Sequence, residues 1–323
     1  MSAAGAKPRG GIDLGGTKIQ AAIVGADGQV LGEARHPTPT EGGPPDVARA
    51  MEDALREAAA AAAVEPDQLA GIGVGSPGDA DGKTGVVSGA RNLPGWEGSF
   101  PLGETLSKAL GAEVRIGNDV QVAVEGEYAL GAGRPFGSLL GVWWGTGVGG
   151  GIVLDGKPWL GRGAAGEIGH MVVKRGGARC PCGRKGCMEA YEGRAAMEAE
   201  AHRQHEEGAE TDLFKLMHKH GKERLTSGIW ERALDHGDHL TEKLIDRAIE
   251  ALGTGVASAV NLLDVEAVVI GGGLGVRFGE RCMEPLTREM SKHLFVDDRP
   301  PALQVAELGD LGGAIGASLL IHH

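Results

Sequence analysis

Three cysteines and a histidine occur close together in the middle of the chain. Cys180, Cys182 and Cys187 follow the pattern C-x-C-x4-C, and His170 lies ten residues before the first of them. Thiolate sulfur and imidazole nitrogen are the ligands of closed tetrahedral zinc sites, so this spacing predicts a structural Zn²⁺. A disulfide would need an oxidising compartment that nothing in the sequence supports, and a redox pair more usually has the pattern C-x-x-C.

Two glutamates flank this cluster. Glu167 lies three residues before His170, and Glu189 lies two residues after Cys187. A zinc ion with four protein ligands does not activate water, but it would hold the two carboxylates at a fixed separation. Isolated glutamates are usually solvated surface charges. Here the metal ligands beside them favour a binding role.

Another segment has the residue types that bind phosphate. The sequence DLGGTK, residues 13–18, places a glycine turn between an aspartate and a lysine. Backbone N–H groups of such a turn can bind phosphate oxygens, the lysine can neutralise their charge, and the aspartate can hold Mg²⁺ directly or through water. The segment is not a G-x-x-x-x-G-K-[ST] loop, and a Gly-Gly hairpin turn is often only a turn. The candidate residues are Asp13, Gly15, Gly16, Thr17 and Lys18.

Two further glycine clusters support a nucleotide site. The sequence GTGVGGG occupies residues 145–151, and a third cluster follows a predicted buried strand at 265–275. Three such turns can surround one nucleotide. The candidate residues are Gly145, Thr146, Gly147, Gly271, Gly272 and Gly273.

The sequence GNDV, residues 117–120, lies where a predicted strand meets a predicted helix. An aspartate at a helix N-terminus is often only a cap. The alternative is a carboxylate, kept ionised by the helix dipole, that accepts the proton of a substrate hydroxyl as the hydroxyl attacks a phosphoryl group. Such a transfer depends more on positioning and charge neutralisation than on a strong base. Asp119 is suited to either role.

The elements that must position these residues form a mixed α/β pattern. Residues 10–35 predict two or three hairpin-linked strands. A helix capped by Asp46 and ending near Pro66 follows, because apolar residues recur there at every fourth position. These apolar residues are Val47, Met51 and Leu55. The later expected elements are strands at 69–78, 112–119 and 265–275, a helix from Val120 to about Leu130, a mostly helical region at 192–262 and a last helix from Leu311 to Ile321.

An internal repeat indicates two similar halves. Residues 139–159 repeat the strand–turn–strand pattern of residues 10–35. Two copies of one unit suggest half-molecules that face each other across a cleft suited to a ligand.

Composition excludes several classes of protein. The chain has 323 residues, 41% of them hydrophobic, with no apolar run long enough to span a membrane and no signal-peptide pattern at the start, which predicts a cytoplasmic protein without membrane contact. A net charge of −12 gives no general attraction for nucleic acid. The 57 glycines predict many tight turns or close approaches of the backbone.

Together these motifs resemble the ROK family (repressors, open reading frames and sugar kinases), within the superfamily of sugar kinases, heat-shock ATPases and actin. The resemblance runs over nearly the whole chain, and the zinc motif is its most specific part. The matching segments are GIDLGGTK, NLPGW (92–96), GND, GTGVGGG, GEIGHM (166–171), CPCGRKGCMEAY and VVIGGG. The resemblance implies an α/β, two-domain, ribonuclease H-like fold with an interdomain cleft. The expected domains are residues 1–117 with 311–323, which include the returning last helix, and residues 118–310 with the zinc loop.

The resemblance also implies roles for single residues. Asp119 corresponds to the catalytic base of the family, and His170 would use one ring nitrogen for zinc and the other for the sugar. The implied sugar-binding residues are Asn92, Asn118, Asp119, Glu167, His170 and Glu189. The chain departs from many relatives in having Trp143 and Trp144 before the second glycine turn, and in having Gly117 where they have Glu and residues 120–122 as Val-Gln-Val where they have Ala-Asn-Ala.

The implied activity is ATP- and Mg²⁺-dependent conversion of glucose to glucose 6-phosphate, because NLPGW resembles the glucokinase branch. Mannose, fructose or N-acetylmannosamine as acceptor, and polyphosphate as donor, stay open. A sugar-sensing repressor would carry a helix-turn-helix, for which about ten residues before GIDLGG leave no room. An actin-like or chaperone ATPase leaves the zinc motif without a role. The resemblance implies a homodimer or homotetramer.

Overall fold

Strands and helices alternate along the chain in the computed structural model, which describes residues 6–90 and 92–321. The strands are β1 (Arg9–Leu14), β2 (Lys18–Val24), β3 (Val30–Pro37), β4 (Ile72–Ser76), β5 (Asp79–Asp81), β6 (Val86–Ser88), β7 (Ser99–Phe100), β8 (Val114–Asn118), β9 (Leu139–Trp144), β10 (Val148–Leu154), β11 (Lys157–Pro158), β12 (Ala267–Gly271) and β13 (Ala302–Val305). The α-helices are α1 (Pro44–Ala61), α2 (Leu102–Leu110), α3 (Asp119–Leu130), α4 (Glu189–Glu192), α5 (Arg194–Glu206), α6 (Leu213–Lys219), α7 (Ser227–Asp235), α8 (His239–Leu263), α9 (Gly272–Ser291) and α10 (Gly312–Ser318). The predicted α/β class is confirmed.

The chain divides into two compact units. The first contains the residues up to Arg134 together with those from Glu307 onward, and the second is Pro135–Ala306. The division therefore falls after Arg134 and not after residue 117 as expected. The reason is that α3 packs against α10, which keeps α3 in the first unit.

The first unit is built on a five-stranded sheet in the order β3-β2-β1-β4-β8. Strands β1, β2 and β3 form the predicted antiparallel meander, while β4 and β8 run parallel to β1. Helix α1 covers one face of the sheet with fully buried Val47, Met51 and Leu55, as predicted. A Cβ at Gly10 would contact Leu55 of α1, whereas one at Gly11 would meet α10, so the two helices lie on opposite faces.

The second unit repeats this arrangement. Its sheet has the order β11-β10-β9-β12-β13, in which β9, β10 and β11 are antiparallel and β12 and β13 run parallel to β9. The two sheets thus share one topology, and the internal repeat predicted from the glycine turns is confirmed. The core of this unit lies between the sheet and helices that include α8 and α9.

Glycine lets α10 approach the first sheet to backbone distance. A Cβ at Gly11 of β1 would lie 1.9 Å from the carbonyl oxygen of Ala314, and one at Gly73 of β4 would lie 1.7 Å from that of Ala317. No side chain fits there, because such distances are far below any van der Waals contact. The helix therefore packs directly against the backbone of the two strands.

A buried carboxylate fixes the segment that leads into α10. Glu127 of α3 is 2% exposed and accepts hydrogen bonds from the N–H groups of Ala132 at 3.0 Å, Glu307 at 3.1 Å and Leu308 at 2.8 Å. The expected return of the last helix to the first unit is confirmed. That helix is shorter than predicted, since the 3-10 turn Gly309–Leu311 occupies its expected start and the helix ends at Ser318 instead of Ile321.

The cap predicted for the first helix is wrong. Gly43 is the N-cap of α1, and Asp46 is its third residue, where its carboxylate accepts a hydrogen bond from the Gly43 N–H at 3.1 Å. Pro44 occupies the first helical position, where its fixed φ suits a helix and its missing N–H needs no partner. The helix therefore begins before Asp46 and not after it. The helix ends at Ala61, before the 3-10 turn Pro66–Gln68. None of the described helices is long and apolar enough to cross a bilayer.

Gly73→Ala is expected to lower the free energy of unfolding by about 3 kcal/mol, at the upper end of the effect of overpacking, because the new methyl group would displace α10 from β4. Urea denaturation measures the change. Gly98→Ala is the matched control, since a Cβ at Gly98 has no atom within 4 Å. Equal midpoints for the two variants would contradict the packing of α10.

Candidate active site and metal centre

The predicted site residues fall into one group in each unit. The group in the first unit is Asp13, Gly15, Gly16, Thr17, Lys18, Asn92, Asn118 and Asp119, and the group in the second is Gly145, Thr146, Gly147, Glu167, His170, Cys180, Cys182, Cys187, Glu189, Gly271, Gly272 and Gly273.

The first glycine turn joins β1 to β2 and is held by a residue that sequence reasoning missed. The Gly15 N–H donates to the Lys18 carbonyl oxygen at 2.9 Å. Thr38, which is 3% exposed, donates its hydroxyl to the Gly15 carbonyl oxygen at 2.7 Å and its N–H to the Thr17 carbonyl oxygen at 3.2 Å. The turn is therefore fixed by a side chain 23 residues further along the chain than Gly15.

Charged side chains converge on this turn. Lys18 Nζ lies 3.3 Å from Asp310 Oδ1, a residue that sequence reasoning also missed. The pKa of Asp13 is raised to about 7, first by burial of its carboxyl group and then by the negative charge of Asp119, against the opposing effect of Lys18. The carboxylates of Asp13, Asp119 and Asp310 are thus close enough to interact, and a bound cation would favour their ionised forms.

Asn118 is the cap of α3. Its side-chain oxygen accepts hydrogen bonds from the N–H groups of Val120 at 3.0 Å and Gln121 at 3.1 Å. Asp119 is the first helical residue, and its carboxylate also accepts from the Val120 N–H, at 2.9 Å. Asn118 therefore fills the capping role with its side-chain oxygen. The side-chain NH₂ group of Asn118 is the part that can donate to a ligand.

The NLPGW segment lies against the first glycine turn. A Cβ at Gly16 would be 3.2 Å from the Asn92 side-chain nitrogen. Trp96 anchors the segment, since it is 1% exposed, donates its indole N–H to the Val87 carbonyl oxygen at 3.2 Å and packs edge-on against Phe100. Asn92 is thereby placed beside the turn predicted to bind phosphate.

The cysteines and the histidine converge as predicted. The ligand atoms of His170, Cys180, Cys182 and Cys187 all lie within 4.8 Å of one another, with 3.7 Å between Cys182 Sγ and Cys187 Sγ and 3.7 Å between Cys180 Sγ and His170 Nδ1. The sulfur–sulfur distance is too long for a disulfide. Tetrahedral zinc with Zn–S bonds of about 2.3 Å requires sulfur atoms about 3.8 Å apart. The four residues therefore fit a Zn²⁺ ion.

The loop carrying the thiols is folded by short backbone contacts and glycines. The Cys180 N–H donates to the Arg184 carbonyl oxygen at 2.9 Å, and the Gly183 N–H donates back to the Cys180 carbonyl oxygen at 2.9 Å. Gly186 has a φ of +84° and leaves no space for a Cβ, which would lie 1.8 Å from the Lys174 carbonyl oxygen. Glycine is thus required where the loop returns towards Cys187.

Glu189 joins this loop to the second glycine turn. Its Oε2 accepts a hydrogen bond from the Val148 N–H at 2.9 Å, and its Oε1 lies 3.6 Å from Cys180 Sγ. On the other side of the cluster, His170 Nε2 lies 3.9 Å from Glu167 Oε2, so the imidazole turns one nitrogen to the thiols and one to a carboxylate. The predicted grouping of both glutamates with the metal ligands is thereby observed in the second unit.

The second and third glycine clusters lie side by side. Strands β9 and β12 are parallel neighbours, so the segments that follow them meet at one edge of the sheet. Arg194 holds the second turn, donating its backbone N–H to the Gly145 carbonyl oxygen at 3.0 Å and its guanidinium to the Thr146 hydroxyl at 2.7 Å. Gly272, with a φ of +79°, packs on the backbone of Trp144. That these clusters surround one nucleotide stays a prediction.

A buried acid that sequence reasoning missed lies three residues after Glu189. Glu192 is fully buried, and neither of its carboxyl oxygens has a hydrogen-bond partner among the described residues. Burial raises the pKa of Glu192 well above its usual range, and the charge of Glu189 acts in the same direction. The protonated form of Glu192 is therefore favoured in the folded protein, and nothing in its local sequence distinguishes it from a surface glutamate.

Comparison with known proteins identifies the family. The sequence model of the ROK family matches residues 9–323. This chain belongs to the ROK family. Its relatives include the glucokinase of Thermotoga maritima, 32% identical over 88% of this chain and 87% of that protein, and an N-acetyl-D-glucosamine kinase of Escherichia fergusonii, 30% identical over 96% and 98%.

Solved structures agree with this assignment. The ROK family glucokinase from Streptomyces griseus, in complex with glucose and AMPPNP, is 30% identical over 96% of this chain and 98% of its own, with a TM-score of 0.82. The ROK hexokinase from Thermus thermophilus is 33% identical over 97% of each chain, with a TM-score of 0.79. The predicted family and fold class are confirmed.

This ROK protein is expected to contain about one zinc per chain when it is purified without chelators, because four ligands at tetrahedral spacing close the site. Cys182→Ser is expected to lose most of the metal. Cys282→Ser is the matched control, since this buried cysteine lies outside the cluster. Elemental analysis measures the content, and a metal-free wild-type protein would contradict the assignment.

Glu192 is expected to make the protein less stable as pH rises. Its pKa is raised in the folded state, so above about pH 4.5 the unfolded chain loses a proton that the folded chain keeps. Glu192→Gln removes this titration, and its free energy of unfolding should fall less between pH 5 and pH 8 than that of the wild type. Exposed Glu223→Gln is the control and should behave like the wild type. Parallel pH profiles for all three proteins would show that Glu192 is not a buried acid.

Proposed function

We propose that this ROK protein transfers the terminal phosphoryl group of ATP to glucose and forms glucose 6-phosphate. The enzyme class, a sugar kinase, is confirmed by its relatives. Glucose is supported as the acceptor by glucokinases among these relatives and by the NLPGW segment. N-acetyl-D-glucosamine kinases are almost as similar, which makes N-acetyl-D-glucosamine the acceptor to compare with glucose.

The observation that carries the proposal is the placement of Asp119 in the first unit. Asn118 caps the helix, and Asp119 is close enough to Asp13 of the glycine turn to raise its pKa. A carboxylate beside a phosphate-binding turn can accept the proton of the attacking hydroxyl without being a strong base. Asp119 is accordingly proposed as the general base.

The glycine turns are proposed to bind the triphosphate. Backbone N–H groups of the first turn and the charge of Lys18 would neutralise the transferred group, and Asp13 would hold Mg²⁺, which spreads the developing negative charge of the phosphates. The ion pair between Lys18 and Asp310 keeps the ammonium group beside the turn before ATP binds. The other proposed donor-binding residues are Gly15, Gly16, Thr17, Gly145, Thr146, Gly147, Gly271, Gly272 and Gly273.

The sugar is proposed to be read by fixed hydrogen-bonding groups. A site that bonds each hydroxyl rejects sugars in which a hydroxyl is missing or misplaced, because its own polar groups then lose their partners. Zinc would act here only by holding the loop, since its four ligands are all from the protein. The proposed sugar-binding residues are Asn92, Asn118, Asp119, Glu167, His170 and Glu189. A cytoplasmic location and a homodimer or homotetramer stay predictions from the sequence.

Asp119→Asn is expected to reduce kcat for glucose about 10²- to 10⁴-fold, the usual contribution of a general base, while Mg–ADP still binds. A coupled assay over glucose, N-acetyl-D-glucosamine, mannose and fructose measures rate and selectivity together. Asp53→Asn is the matched control because Asp53 is exposed on α1. Wild-type rates in Asp119→Asn would show that Asp119 is not the general base. A higher kcat/KM for another sugar would show that this sugar, and not glucose, is the preferred substrate.

A further inference from the structure

The two tryptophans at the end of β9 have different surroundings. Trp144 is 1% exposed, donates its indole N–H to the Glu192 carbonyl oxygen at 2.7 Å and packs edge-on against Phe278 at 5.5 Å. It belongs to the hydrophobic core of the second unit. Trp143 points to the opposite face of the sheet, because successive residues of a strand alternate.

Glycines flank Trp143 on both neighbouring strands. Its partner on β10 is Gly149 and its partner on β12 is Gly271. A Cβ at Gly271 would lie 2.7, 2.8 and 2.9 Å from three indole carbons, Cε2, Cζ2 and Cδ2. These near-equal distances show that the ring lies face-on against Gly271. No cross-strand side chain is present at either partner position to cover the opposite face of the ring.

The indole is placed where two glycine segments meet. Gly271 ends β12 and is the N-cap of α9, and Trp143 lies two residues before Gly145. The ring is partly exposed, and among residues 6–90 and 92–321 its N–H has no hydrogen-bond acceptor. It therefore offers an aromatic face beside the second and third glycine clusters, which otherwise present mainly backbone.

We propose that the outer face of Trp143 stacks on the base of the nucleotide donor, which makes Trp143 a specificity residue for nucleoside triphosphates over inorganic polyphosphate. The inference rests on the donor part of the proposed function. Base–aromatic stacking contributes about 1–3 kcal/mol, whereas a polyphosphate has no planar group to stack. The competing explanation is structural: aromatic side chains can stabilise a sheet by covering glycines.

Calorimetric titration of the protein with Mg–ADP and with Mg–tripolyphosphate tests the proposal without hexose or turnover. Trp143→Ala is expected to weaken Mg–ADP binding about 5- to 150-fold, the range that corresponds to the stacking energy. Trp143→Phe should weaken it less than fivefold, because a smaller ring still stacks. The affinity for Mg–tripolyphosphate should stay unchanged in both variants.

Intrinsic fluorescence gives a second readout that a purely structural role would not change. Mg–ADP should quench the wild-type protein, and Trp143→Phe should remove most of this quenching. Trp159→Phe is the matched control, because it also removes one tryptophan, 48% exposed and outside the glycine clusters, and should keep the quenching. If Trp143→Ala does not fold, Trp143→Phe still tests the proposal.

Two results would overturn the proposal. Equal weakening of Mg–ADP and Mg–tripolyphosphate would show that the indole N–H edge binds phosphate. Lost stability with unchanged Mg–ADP affinity and quenching would show that Trp143 only covers glycine. If Trp143 governs Mg–ADP binding but no sugar is phosphorylated, the inference stands and the proposed acceptor chemistry fails. If the wild type binds no Mg–ADP, both fail.

Discussion

The site of the second unit depends on the two contacts of the Glu189 carboxylate, one with the glycine turn and one with the thiol loop. The carboxylate accepts the Val148 N–H at the start of β10 and lies 3.6 Å from Cys180 Sγ, so one side chain sets the distance between the thiol loop and the glycine turn. Glycine at position 147 leaves room for this carboxylate, since a Cβ there would lie 2.5 Å from Glu189 Oε2 and the side chain would have to shift. A hydrogen bond to a charged group is worth about 1.5–3 kcal/mol. The metal ligands and the turn are therefore one structural unit.

Several glycines share one physical basis. At Gly11 and Gly73 the absence of a Cβ lets a helix touch the backbone of a sheet, at Gly186 it lets a loop close beneath its metal ligands, and at Gly271 it makes room for an indole ring. In each case a Cβ would collide with a neighbouring group. Glycine at these four positions thus serves close approach and not flexibility.

Local patterns were sufficient for much of the structure. The thiol spacing predicts the convergence of the cysteines with His170, because all four metal ligands come from one short segment. The repeated glycine turns predict two sheets of one topology. Thr38, Asp310 and Glu192 could not be found this way, since their importance comes from contacts or burial that only the fold creates. The division after Arg134 was missed for the same reason, because it depends on the packing of α3 against α10.

The path of the chain has a consequence for how the protein is made. The first unit needs α10 to cover Gly11 and Gly73, and it needs the N–H groups of Glu307 and Leu308 to satisfy the buried carboxylate of Glu127. These partners leave the ribosome after the whole of the second unit has been synthesised. The first unit can therefore be completed only after the second has been synthesised, and until then one face of its sheet and the Glu127 carboxylate lack these partners.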